Sequence, residues 1–159
     1  MDRTLVIGIG NPERGDDAAG LAVAAWLAGR LPESVAILTH DGEATSLLTL
    51  LGQASAVYLV DACVSGVPAG TIRRFDVTAA PLPRESFAVS THGLGLADAI
   101  ELARALDQLP APSVVYAIEG RTFEPGASLS PAVGEAIARV GDRLRAELDG
   151  HVKEPDTDA

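Results

Sequence analysis

Cysteine, aromatic residues and long apolar runs are scarce in this sequence of 159 residues. Its one cysteine, Cys63, excludes an intramolecular disulfide and any metal or redox motif that requires two cysteines. We interpret Cys63 as a buried small residue. Aromatic residues make up only 4% of the chain, so the core has to be built from Val, Leu, Ile and Ala. No apolar run approaches the roughly 20 residues that span a bilayer, and no signal-type segment follows the amino terminus. We therefore expect a soluble, cytoplasmic protein.

Basic residues are also in deficit, since 12 Lys and Arg stand against 22 Asp and Glu and give a formal net charge of −10. An acidic surface repels phosphate groups, which makes nucleic acid and anionic membranes poor candidate partners. A basic peptide or a metal ion is a better candidate.

The length and the hydrophobic fraction of 47% fit one compact globular domain. We predict a single domain over residues 1–150 and a flexible polar tail over 151–159. Predicted strands alternate with predicted helices, which indicates an α/β fold with a mostly parallel sheet and helices on both faces. The strands are expected at about 4–8, 35–39, 56–60 and 113–118, the helices at about 17–29, 44–51, 94–106 and from 131 onward, and an edge strand or hairpin arm at 71–77.

A glycine turn, Gly8-Ile9-Gly10, follows the first predicted strand and invites comparison with a dinucleotide-binding site. Such a site needs a third glycine three residues after the second, and this chain has Glu13 there, whose carboxylate would face the pyrophosphate. No Gly-Lys-Ser/Thr sequence is present, which excludes a P-loop. The turn leads instead to two adjacent acids, Asp16 and Asp17, at the start of the next predicted helix.

The two acids have a structural and a functional interpretation. Acidic residues at a helix amino terminus cap free N–H groups and suit the helix dipole, and we expect one of Asp16 and Asp17 to do this. The other is then available for chemistry. Asp61 follows the apolar strand at 56–60, at the edge of the sheet where α/β proteins bind ligands. We therefore interpret Asp61 as functional rather than as a turn residue.

Three further residues are candidates for the same edge of the sheet. His40 and Asp41 end the second predicted strand, and His92 lies among small residues before a helix, which leaves its imidazole room to be approached. A lone histidine or a turn aspartate in such places is more often structural. We nevertheless predict a shared site of Asp17, Asp61 and His92 with Asp41 close by. Two carboxylates and one imidazole suit a borderline divalent ion such as nickel or zinc.

Four motifs, spread over most of the chain, occur together in one known family. They are Gly8-Ile9-Gly10-Asn11, Asp16-Asp17-x-x-Gly20, Val60-Asp61-Ala62 and His92-Gly-Leu-Gly-Leu-Ala-Asp98. In this order and spacing they resemble the hydrogenase maturation endopeptidases, which process the large subunit of nickel–iron hydrogenases.

The resemblance implies a three-layer α/β/α sandwich around a twisted, mostly parallel sheet of about five strands. It also implies an aspartyl-type endopeptidase that removes the C-terminal extension of a nickel–iron hydrogenase large-subunit precursor after nickel insertion. Asp17, Asp61 and His92 match the metal-contacting residues of the family. The nickel is expected to arrive with the substrate, and no organic cofactor is expected. Asp17, Asp41 or a metal-bound water would serve as base or nucleophile.

One segment departs from the family pattern. Asp41 matches an aspartate that precedes a Gly-Gly-Thr segment linked to substrate choice, but this chain reads Asp41-Gly42-Glu43-Ala44-Thr45. The added glutamate leaves the identity of the processed hydrogenase open. Two alternative functions also remain at this point: another metal-dependent hydrolase on the same fold that holds its own zinc, and a non-catalytic nickel-binding maturation factor.

Overall fold

Five strands and four α-helices make up the part of the chain that the computed structural model describes, residues 3–87 and 95–153. Two short 3-10 helices, Gly15–Ala18 and Arg84–Phe87, lie between them. The strands are β1 Thr4–Ile9, β2 Val35–His40, β3 Ala56–Cys63, β4 Ile72–Asp76 and β5 Ser113–Glu119, and the helices are α1 Ala19–Leu27, α2 Ala44–Gly52, α3 Leu96–Ala105 and α4 Pro131–Lys153.

The strands form one sheet in the order β2-β1-β3-β5-β4. β1, β2, β3 and β5 run parallel, and β4 pairs antiparallel with β5 at the edge, which confirms the predicted edge strand. The chain leaves β1 towards β2 on one side and reaches β3 on the other side. Such a reversal of strand order opens a crevice at the carboxyl ends of the two strands, here β1 and β3, where α/β proteins bind ligands.

Apolar side chains on the two faces of the sheet pack against different helices. One core cluster joins the sheet to α1 and α4, and the other joins it to α2 and α3. Both β3 and β5 are buried along their full length, as strands covered on both faces should be. The predicted three-layer α/β/α sandwich is therefore confirmed. None of the helices in the described ranges is long and apolar enough to cross a membrane.

The boundaries of three elements differ from the sequence prediction by two residues or more. Asp61 lies inside β3 rather than directly after it, because pairing with β5 continues as far as Cys63 opposite Glu119. The helix expected from residue 17 begins as the 3-10 helix Gly15–Ala18 and becomes α-helical at Ala19. The helix expected from residue 94 begins at Leu96 within the described residues.

Glycines bring the start of α1 against the backbones of β1 and β3. A Cβ atom added at Gly10 would lie 1.9 Å from the carbonyl oxygen of Asp17. One added at Gly20 would lie 2.3 Å from the carbonyl oxygen of Val60 and 2.4 Å from that of Ile9. Because these neighbours are backbone atoms of β1, β3 and the 3-10 helix Gly15–Ala18, they have little freedom to move aside. The close approach fixes where Asp17 stands relative to β3.

Substitution of Gly20 by alanine tests this packing. We expect Gly20→Ala to lower the free energy of unfolding by about 1–3 kcal/mol, the typical cost of overpacking against neighbours that cannot move aside. Gly134→Ala is the matched control, because Gly134 also lies in a helix but has no atom within 4 Å of an added Cβ. That control should gain about 0.5–1 kcal/mol from helix propensity. Urea unfolding measures both values, and equal stabilities for the two variants would contradict the packing.

Candidate active site

Two carboxyl groups meet at the crevice between β1 and β3. Asp17 lies in the 3-10 helix that follows β1, and Asp61 lies near the carboxyl end of β3. Asp61 is 9% exposed, and its Oδ1 accepts a hydrogen bond of 2.8 Å from the amide of Ala62. The charge of Asp17 is near enough to act on Asp61. The structure thus brings together two of the four residues predicted for the site.

Burial disfavours the ionised form of both carboxyl groups. Burial raises the pKa of Asp61 well above its usual range, and the charge of Asp17 raises it further, against the opposing effect of the Ala62 amide. Burial also raises the pKa of Asp17, although the charge of Arg14 and the amide of Asn11 offset part of this effect. Two carboxylates in this situation are stabilised by a proton or by a cation.

Asp16 has a structural role instead. It is fully buried, and its Oδ1 accepts a hydrogen bond from the amide of Ser130 at 2.7 Å. Its Oδ2 accepts from the amides of Arg121 and Thr122 at 2.7 and 3.1 Å and from the hydroxyl of Ser130 at 2.9 Å. Burial opposes ionisation, but these four hydrogen bonds outweigh it and lower the pKa of Asp16.

The expectation that one of the two acids caps its own helix is wrong. Neither the 3-10 helix nor α1 receives a side-chain cap. The side chain of Asp16 instead binds the segment between β5 and α4. It ties that segment to the same short helix that carries Asp17.

Glu119, at the end of β5, is a buried acid that was not singled out from the sequence. Its carboxylate accepts hydrogen bonds from the amide and hydroxyl of Ser65, both at 2.7 Å, and from the amide of Gly66 at 3.1 Å. It thereby fixes the turn that follows β3. The available signal was an acid at the end of an apolar strand, the same signal that identified Asp61.

Cys63 is buried, as predicted, and its Sγ lies 3.5 Å from Oε1 of Glu119. Burial raises the pKa of its thiol to about 11. At neutral pH the thiol is therefore protonated and is a poor nucleophile.

Asp41 and His92 complete the predicted set. Asp41 directly follows β2, which pairs with β1, and its side chain is 63% exposed. Its Oδ1 accepts a hydrogen bond of 2.9 Å from the amide of Glu43. His92 lies outside the described residues. Over the ranges 3–87 and 95–153, no three His, Cys, Asp or Glu side chains form a group able to hold a metal ion. A metal site here would need a third group beyond Asp17 and Asp61.

Comparison with known proteins decides the family. The family model described as HycI, hydrogenase maturation protease, matches residues 24–147. The chain belongs to this family. It is 30% identical over 151 residues to the hydrogenase 2 maturation protease of Escherichia coli strain K12, covering 92% of this chain and 90% of the relative.

Solved structures agree with this assignment. The chain superposes on the hydrogenase maturating endopeptidase HybD from E. coli with a TM-score of 0.81 and 27% identity, covering 94% of this chain and 93% of the other. It superposes on the [NiFe] hydrogenase maturation protease HycI from Thermococcus kodakarensis KOD1 with a TM-score of 0.72 and 28% identity, covering 92% of each chain. The predicted peptidase class is therefore confirmed for this maturation protease, whereas the roles of Asp17, Asp41, Asp61 and His92 stay predictions.

Replacement of Asp61 by asparagine should stabilise the protease at neutral pH. Folding raises the pKa of the Asp61 carboxyl group above its value in the unfolded chain, which is about 3.9. The folded protein therefore loses stability as the pH rises from the unfolded-state pKa to the folded-state pKa. We therefore expect Asp61→Asn to be more stable than the wild type at pH 7. The difference should shrink towards zero as the pH approaches about 4. Denaturant unfolding at several pH values measures it.

Asp16→Asn is the control with the opposite sign. Because folding lowers the pKa of Asp16, its ionised form contributes stability above the unfolded pKa, and that stability is lost as the pH falls through the folded pKa. The new amide would face N–H donors, so we expect a loss of about 2 kcal/mol at pH 7. If both substitutions shifted stability in the same direction, the division of roles between the two aspartates would be contradicted.

Proposed function

We propose that this maturation protease removes the C-terminal extension of a nickel–iron hydrogenase large-subunit precursor after nickel has been inserted. Family membership supports the peptidase class and the link to hydrogenase maturation. The observation that supports the nickel dependence is the pair of carboxyl groups at the crevice between β1 and β3, the buried Asp61 and the half-buried Asp17.

A divalent cation delivered by the substrate relieves the repulsion between these two groups. Asp17 and Asp61 supply oxygen ligands, and His92, by resemblance, supplies an imidazole nitrogen. This donor set suits a borderline ion such as nickel. Three ligands leave coordination positions for groups of the precursor, so the ion is held by both proteins at once. A precursor without nickel brings no positive charge to the crevice and is expected to dock poorly.

Hydrolysis then needs a base close to the scissile amide. A carboxylate, Asp17 or Asp41, accepts the proton of the attacking water while the water oxygen bonds to the carbonyl carbon. The carbon–nitrogen bond breaks, and the leaving nitrogen takes up the proton held by that carboxyl group and departs as an amine. When bound, the nickel of the precursor supplies positive charge that polarises a carbonyl or activates water.

The test is to mix metal-stripped enzyme with nickel-loaded and with nickel-free precursor and to follow loss of the C-terminal peptide by mass spectrometry. We expect cleavage of the nickel-loaded form alone. Asp17→Asn and His92→Ala should fold normally and lose processing. The control is Glu13→Gln, which removes an exposed carboxylate from the same turn and should cleave at the wild-type rate.

Three results would contradict the proposal. Equal cleavage of both precursors would exclude nickel as the signal. A strict need for zinc added to the enzyme would favour a hydrolase with its own metal. Stable binding of nickel-loaded precursor with the peptide left intact would indicate a non-catalytic maturation factor.

A further inference from the structure

The turn between β2 and α2 is closed by a continuous set of hydrogen bonds that begins at His40. The amide of Gly42 donates to Nδ1 of His40 at 2.9 Å, and Nε2 of His40 lies 2.9 Å from Oγ of Ser46. Oγ of Ser46 in turn lies 2.9 Å from Oε1 of Glu43. Because Nδ1 accepts a hydrogen bond, the proton of a neutral imidazole resides on Nε2. The direction is therefore fixed: His40 donates to Ser46, and Ser46 donates to Glu43.

Glu43 closes this set on helix α2. Its Oε2 accepts from the amide of Thr45 at 2.8 Å, and its Oε1 accepts from the amide of Ser46 at 2.9 Å. These bonds lower the pKa of Glu43 to about 2. Its carboxylate is thus engaged as the amino-terminal cap of α2. Glu43, which departs from the family pattern, folds back on its own helix, where its carboxylate already accepts hydrogen bonds from the first turn.

In the same turn, Asp41 lies between two residues, His40 and Glu43, whose backbones are held by hydrogen bonds. On one side, the carbonyl of His40 accepts a hydrogen bond of 3.0 Å from the amide of Gly10, in the glycine turn after β1. On the other side, the amide of Glu43 donates to Oδ1 of Asp41 at 2.9 Å. Any movement of His40 or Glu43 would therefore be transmitted to the Asp41 carboxylate.

We propose that His40, Ser46 and Glu43 are positioning residues that hold the Asp41 carboxylate in place on the β2 side of the crevice. This inference rests on the proposed function, in which Asp41 takes part in processing. The three residues do not themselves touch the reacting atoms. They fix the turn before the substrate arrives, so less order has to be gained in the complex.

The first arm of the test is spectroscopic and needs no substrate. Nitrogen-15 NMR of the histidine rings should place the proton of the neutral His40 ring on Nε2, with the ring assigned by the signal that disappears in His40→Gln. Ser46→Ala should speed hydrogen exchange at the Gly42 amide. Thr49→Ala is the matched control, because Thr49 lies exposed on the same helix and, among the described residues, its hydroxyl donates to the carbonyl of Thr45, outside this set of hydrogen bonds. A proton on Nδ1 would overturn the proposal.

The second arm measures processing. Ser46→Ala and Glu43→Ala should lower kcat about tenfold, the rate equivalent of about 1.4 kcal/mol, with KM nearly unchanged. Glu43→Gln keeps an acceptor oxygen and should recover most of the rate, whereas Thr49→Ala should match the wild type. A role for Glu43 in helix stability alone would lower the melting temperature and leave kcat intact, and that result would overturn the proposal.

The two arms separate this inference from the proposed function. Full activity in Asp41→Asn would remove the reason for positioning Asp41 and would overturn the inference while leaving the protease function standing. A wild-type protein that cleaves no precursor would refute the proposed function, and the ring tautomer and the Gly42 exchange rate would still decide whether the turn is held as described.

Discussion

The proximity of two like-charged groups, Asp17 and Asp61, is the constraint on which the crevice depends. The interaction between the two side chains does not favour this proximity, because burial and mutual repulsion disfavour two negative charges. The position is enforced by backbone packing, in which Gly10 and Gly20 let the start of α1 approach β1 and β3 without intervening side chains. Rigid packing of this kind can store an unfavourable interaction at a functional site.

Two other buried acids stabilise the walls of the crevice. Asp16 binds the segment between β5 and α4, and Glu119 binds the turn after β3. Both remain easily ionised, because hydrogen bonds outweigh their burial and lower the pKa of each carboxyl group. These four carboxyl groups therefore divide into two classes. Asp16 and Glu119 are satisfied by hydrogen bonds within the protein, whereas burial disfavours the ionised forms of Asp17 and Asp61. In the proposed function, a cation on the incoming substrate relieves this cost.

Much of this arrangement could be predicted from the sequence, and the exceptions share one physical cause. Apolar runs located the strands of the sheet, and periodic apolar residues located α4 from Pro131, because both patterns reflect burial of a single element. The continuation of β3 through Asp61 could not be seen, because it depends on pairing with β5. The role of Asp16 was missed for the same reason, since its partners lie more than 100 residues away.

The candidate site was predictable to the extent that local position determines it. That Asp17, after β1, and Asp61, towards the end of β3, lie at one edge of the sheet followed from the rule that ligands bind at the carboxyl edge of a parallel sheet. Composition and spacing did not distinguish the adjacent acids Asp16 and Asp17, although Asp17 was the one placed in the predicted site. The hydrogen bonds around Asp16 give that choice a physical basis.

Carbon-13 NMR of the aspartate carboxyl groups tests the central claim most directly. The metal-free protein would be titrated with pH, and Asp61 would be assigned with Asp61→Asn. The account predicts that Asp61 titrates well above its ordinary pKa of about 3.9 and that Asp17→Asn moves this titration to lower pH. Two results would contradict the account. In one, Asp61 titrates at its ordinary pKa; in the other, its titration is the same in Asp17→Asn as in the wild type.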